Sequence, residues 1–152
     1  MKKKFALIMC SMFMFIMSNG CGSGSDSETV EGSNIRLRID DILMSVTWEN
    51  NDSVRELKKL LTNKDLVINM NQYGGFEQVG SIGQTIKSDN REMTTYPGDI
   101  VLYSGNQIVI FYGSNSWSYT KLGKLIGKTD DEIKNILDKS GVKVRLSLSN
   151  SN

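Results

Sequence analysis

Apolar and polar residues alternate through Ile35, Leu37 and Ile39, and the alternation resumes beyond Asp40-Asp41 through Ile42, Met44, Val46 and Trp48. A period of two puts every second side chain on one face of an extended strand. Two such runs joined by two aspartates read as a β-hairpin. Ala6 is the only alanine, so the rest of the chain lacks the best helix former. Val, Ile, Thr and aromatic residues take its place, and these fit the pleated surface of a sheet. Further strands are expected at 65–71, 77–80, 99–104, 106–112, 119–126 and 142–148.

Two helices interrupt the strands. Ser53 and Glu56 have the spacing of a capping box, followed by an apolar face of Val54, Leu57, Leu60 and Leu61. Thr129 and Glu132 form a second box ahead of Ile133, Ile136 and Leu137, with Gly141 closing the helix. Each helix has one apolar stripe, so each is expected to plug or flank the sheet. Several strands and two short helices over 35–148 read as one mainly β domain, a closed or nearly closed β-barrel with two short capping α-helices.

The N-terminus is of another kind. Lys2, Lys3 and Lys4 precede an apolar run from Phe5 to Met17, which matches a secretory signal and is too short for a permanent bilayer span. Cys21 follows directly after the small residue Gly20. This arrangement resembles the lipobox of bacterial lipoproteins, which implies a signal peptide at 1–20, cleavage before Cys21, lipidation of its thiol and extracytoplasmic membrane anchoring. Cys10 would leave with the signal, so Cys21 would be a lone cysteine with no internal disulfide partner. Residues 21–34 are rich in Gly, Ser and acids and read as a flexible tether. Roughly 13 residues of such chain reach about 20 Å. Residues 149–152 read as a disordered tail.

Removing Lys2, Lys3 and Lys4 from 18 basic residues leaves 15 against 17 acidic ones. A side-chain balance this close to zero excludes bulk nucleic-acid binding, which needs a basic surface. The chain contains no histidine, which removes Ser-His-Asp and Cys-His catalysis and His-ligated zinc. No acidic set has calcium-loop spacing, and no phosphate loop follows a strand. No metal and no cofactor is expected.

Two aromatic, glycine-rich segments stand out, 71–77 and 112–119. Glycine permits tight turns, and the aromatic residues beside it can form a shallow binding face. The candidate ligand-binding residues are Tyr73, Phe76, Glu77, Trp117 and Tyr119; the alternative is that the aromatic ones only cover the barrel ends.

Tyr73–Glu77, Pro97–Tyr103, Gly105–Tyr119 and Leu122–Lys124 resemble the bacterial cyclophilin-like family. The resemblance covers 35–148 and implies a cyclophilin-type barrel with two capping helices, and it carries no established activity. True cyclophilins are prolyl isomerases in which an arginine weakens the amide resonance behind a barrier of about 18–20 kcal/mol. This sequence lacks their Phe-His-Arg run. Arg55 is placed on a helix and Arg36, Arg38 and Arg145 on strands, leaving Arg91 in a loop as the weak catalytic candidate. The reading is therefore an anchored lipoprotein whose domain binds a peptide or small ligand without catalysis. The alternatives are a divergent prolyl isomerase and an accessory lipoprotein presenting a protein-interaction surface.

Overall fold

The computed structural model describes residues 35–149. Residues 1–34 and 150–152 lie outside the described residues, and with them the expected signal peptide, Cys21, the tether and most of the tail.

The hairpin forms where the alternation places it. Strands β1 (Ile35–Ile39) and β2 (Ile42–Trp48) are joined at Asp40 and Asp41, both at positive φ (47° and 68°). This is the backbone of a two-residue turn whose twist matches that of the strands, and aspartate tolerates it better than most side chains. Asp40 is also tied to the far end of the chain. Its Oδ1 accepts from the Lys143 backbone N–H at 2.8 Å and its Oδ2 from Lys139 Nζ at 2.9 Å.

The chain continues through α1 (Asp52–Leu61), β3 (Leu66–Tyr73), β4 (Glu77–Ser81) and β5 (Arg91–Thr95). It then runs through β6 (Asp99–Tyr103), β7 (Gln107–Phe111), β8 (Asn115–Ile126), α2 (Asp130–Leu137) and β9 (Gly141–Leu148). The strand order is β2-β1-β9-β3-β4-β7-β6-β8-β5, and a further β2–β8 pairing closes the first eight into a ring. Closure leaves none of the eight with an unpaired edge. This is the closed, mainly β architecture with two short helices that the sequence implies.

The principal core draws Leu37, Met44, Ile68, Ile100, Ile108, Leu122 and Val144 from seven strands of the ring, with Leu57 and Leu61 of α1 and Ile133 and Leu137 of α2 packed into it. It is therefore the inside of the ring. Both helices bury their single apolar stripe there, as expected.

Three local expectations are corrected. The N-cap of α1 is Asn51, whose side chain accepts from the Val54 N–H at 3.0 Å. Ser53 is buried, and its hydroxyl donates to the Lys87 carbonyl oxygen at 2.6 Å. Glu56 likewise turns away from the cap to accept the Lys87 backbone N–H. Gly141 does not close α2 but starts β9, where a Cβ would lie 2.6 Å from the Met70 carbonyl oxygen. Finally, Arg91 is not in a loop: it begins β5, paired with Tyr119 of β8. Strand β5 escapes the hydrophobic pattern because it borders only β8, and Met93 is its one hydrophobic side chain. The capping box at Thr129 and Glu132 is present in full.

Candidate functional site

The strands β6 and β7 are apolar on both faces. Ile100, Leu102, Ile108 and Ile110 point into the ring, while Val101, Val109 and Phe111 form a second cluster with Tyr119 on the opposite, outer face. Uninterrupted runs such as Ile108–Phe111 are the sequence sign of a strand buried on both sides. What covers that outer face is the first half of β8, which extends beyond β6 to pair with β5.

Glycine brings the first aromatic segment onto this cluster. Gly74 and Gly75, at φ 63° and 75°, carry the turn from β3 to β4. A Cβ on Gly74 would sit 2.2 Å from the Phe76 ring, so the position needs glycine twice over. The Phe76 ring stacks on Phe111 with centroids 6.4 Å apart and 4° between planes. Its carbonyl oxygen accepts both the Tyr112 and the Gly113 N–H at 2.9 Å. Phe76 thus binds the 71–77 turn to the start of the second aromatic segment.

Beside this bracket lies a cleft of about 430 Å³. Tyr73, Glu77, Val79, Tyr103, Gln107, Val109, Asn115, Trp117 and Tyr119 line it. Four of the five residues singled out from sequence, Tyr73, Glu77, Trp117 and Tyr119, therefore meet at one place. Phe76 does not line the cleft but packs behind it, against the second cluster. Trp117 and Tyr119 come from a strand rather than from a loop, and with Asn115 they occupy alternate positions on it. Tyr103 joins through contact with Tyr119, at 6.1 Å between ring centroids. Val79 and Val109 are register partners beneath it.

The residues missed from sequence were Val79, Tyr103, Gln107, Val109 and Asn115. The alternation of Asn115, Trp117 and Tyr119 with serines was a legible signal for one of them. The other four needed the strand order.

Tyr73 and Trp117 are 65% and 58% exposed and stand at the rim. Glu77 is only 7% exposed. Its Oε2 is buried without a hydrogen-bond partner, and burial pushes its carboxyl up from 4.5 to about 7. Burial also raises the Tyr119 hydroxyl pKa, while a hydrogen bond from Asn115 opposes that shift and the Glu77 and Tyr103 charges add to it.

Arg91 lies apart from this cleft. It is bonded to Asp89 through Nε (3.2 Å) and Nη2 (2.8 Å) and lines a second cleft, richer in charged residues, with Glu49, Asn51 and Glu92. No arginine lines the aromatic cleft. Among the described residues no group of three or more Cys, Asp or Glu side chains is placed to hold a metal ion.

Comparison with known proteins agrees with this architecture. A solved structure, that of a hypothetical protein from Archaeoglobus fulgidus, superposes with a TM-score of 0.55 at 12% identity, covering 76% of this chain and 93% of that one. No curated protein matches the chain. The cyclophilin-like family model matches residues 37–149, which takes in both helices and the ring of strands from Leu37 of β1 onward, and the chain belongs to the cyclophilin-like family.

Proposed function

We propose that this protein is a membrane-anchored, extracytoplasmic lipoprotein whose cyclophilin-like domain binds a peptide or small ligand in the aromatic cleft without catalysing a reaction. The observation that carries the binding half is the meeting of Tyr73, Glu77, Trp117 and Tyr119, from three different strands, around one cleft. A concave site with aromatic walls and a few polar groups has the makeup of a small-ligand pocket. Exposed Tyr73 and Trp117 offer large apolar area that ligand contact would bury.

An isomerase of cyclophilin type needs an arginine at the nitrogen of the prolyl amide, and the cleft is lined by none. Arg91 is engaged by Asp89 on the outer surface. The anchoring half rests on the sequence alone: Lys2–Lys4, the apolar run and Gly20-Cys21. No helix among the described residues is long and apolar enough to cross a membrane, so in this reading attachment depends on the Cys21 lipid.

Binding is tested by calorimetry on the full-length chain against a panel of short peptides and fragment-sized aromatic and amide compounds. Trp117→Ala and Tyr73→Ala, both at exposed positions, are expected to weaken a ligand's affinity about tenfold or more each with unchanged melting temperature. A ligand bound equally by wild type and both variants would place the site elsewhere. For the anchor, Cys21→Ala is expected to abolish incorporation of labelled fatty acid and release the chain from membranes. Retention of the label in that variant would overturn it.

A further inference from the structure

The cleft is short of one positive charge. Glu77 is held in place by register, paired with Tyr73 on one side and Phe111 on the other. The residue is more than nine-tenths buried, and its Oε2 meets no donor. A carboxylate removed from water without a partner is costly, and folded proteins normally supply one. Here no lysine or arginine lines the cleft, and its other polar lining groups are two amides, three tyrosine hydroxyls and the Trp117 indole N–H, all uncharged. Around this acid stand the rings of Tyr73, Tyr103, Trp117 and Tyr119, whose faces attract cations.

We propose that the cleft receives a cationic head group, a guanidinium or alkylammonium, with Glu77 as its counter-ion and the aromatic rings as its walls. The inference rests on the cleft being a binding site, and it names the chemistry that site selects. The bound cation supplies the opposite charge that the Glu77 carboxylate lacks among the cleft's lining residues. Asn115 and Gln107 side-chain carbonyls at the cleft wall can accept its remaining N–H groups. The same head group can arrive on a peptide side chain or on a free small amine.

Charge recognition of this kind depends on the ionisation of Glu77. The titratable groups facing it are tyrosines: Tyr73 of β3, Tyr103 of β6 and Tyr119 of β8. Strand β7 contributes only Gln107 and Val109 to the lining. Arg91 and Glu92 of β5 line the second cleft, which shares only Tyr119 with the first. With Glu77 poised at about 7, affinity for a cation rises by about tenfold from pH 6 to pH 8.

The test uses the full-length protein and calorimetry with three probes: N-acetyl-Gly-Arg-Gly-amide, its citrulline twin, which is neutral and nearly the same shape, and agmatine. The arginine peptide is expected to bind at least about tenfold tighter than the citrulline peptide at pH 8, with the margin closing at pH 6. Glu77→Gln is expected to erase the preference while the variant keeps its cooperative melting. Tighter binding of agmatine than of the arginine peptide identifies a free amine as the natural source, and the reverse identifies a peptide; both support the cation.

Equal binding of the arginine and citrulline probes overturns the cation proposal and leaves the cleft as a neutral site. A preference that survives Glu77→Gln places the cation elsewhere and also overturns it. Stronger binding at pH 6 than at pH 8 means that protonated Glu77 is donating to a ligand carbonyl, which overturns it too. If no probe binds while a neutral compound does, the cation proposal fails and the binding site stands. If nothing binds that Trp117→Ala releases, both fail together.

Discussion

Glu77 and Asp40 are two acids that the fold treats in opposite ways. Glu77 is raised to about 7 by burial, so the folded protein holds its proton more tightly than the unfolded chain. Ionising it therefore costs stability progressively as pH rises from about 4.5 to 7, and the cost is complete above that window. Glu77→Gln is expected to stabilise the protein at pH 8 by roughly 1–2 kcal/mol, after discounting for solvent in the cleft, and to change little at pH 4. Urea unfolding of both proteins at the two pH values checks this. A stabilising variant that loses ligand is the usual trade at a functional site. Asp40 is the reverse case. The Lys143 backbone N–H and then the Lys139 ammonium hold its carboxyl below the usual 3.8. Its contribution is present above the unfolded carboxylate range and is lost as pH falls through the lowered folded value. Asp40→Asn is therefore expected to lower the melting temperature at pH 7 and to converge with wild type in acid.

At the scale of elements, side-chain amides hold the helices to the ring. Gln78, fully buried on β4, donates from Nε2 to the Leu137 and Lys139 carbonyl oxygens, both at 2.7 Å. These are carbonyls at the C-terminal end of α2 that have no partner within the helix. Gln78→Leu would take the side-chain donor from both, leaving the Leu137 oxygen only its bond from the Lys139 N–H, which is expected to cost about 1–2 kcal/mol and to speed amide exchange across α2 relative to the rest of the chain. Asn51 does the corresponding work for α1. Its Oδ1 caps Val54 and its Nδ2 donates to the Lys121 carbonyl oxygen on β8 at 2.8 Å. Asn51→Ala is expected to cost about 1–2 kcal/mol, seen as a lower urea midpoint with an unchanged slope. Ser53, three residues ahead of Glu56, carried the sequence signature of that cap. The pattern was right about a helix start and wrong by two residues, because Lys87 offered both side chains a tertiary partner.

For the whole molecule, closure of the ring depends on pairings between distant parts of the chain. β1 lies against β9, with Arg38 opposite Arg145, and β2 lies against β8, with Trp48 opposite Gly123. The entropy of bringing such strands together is lost before most contacts form. Refolding monitored by stopped-flow fluorescence is accordingly expected in milliseconds to seconds, well short of the speed of a helical bundle. A microsecond phase carrying the full amplitude would contradict a transition state that needs these pairings.

Period-two alternation, the loss of alanine and two amphipathic stripes fixed a mainly β domain with two helices. These are local properties, since a strand's two faces and a helix's stripe are written in consecutive side chains. Glycines with aromatic residues beside them marked Tyr73, Phe76 and Glu77 in one segment and Trp117 and Tyr119 in another for the same reason. What consecutive residues do not encode is which strands become neighbours. Only the tertiary structure set β8 beside β6, β2 and β5, turned Val79, Tyr103, Gln107 and Val109 toward Trp117, and put Phe76 behind the cleft rather than in it. It also removed water from around Glu77. Burial is a property of the assembled neighbours, and so the acid that defines the cleft is one of many acids in the sequence and one of very few buried acids in the fold.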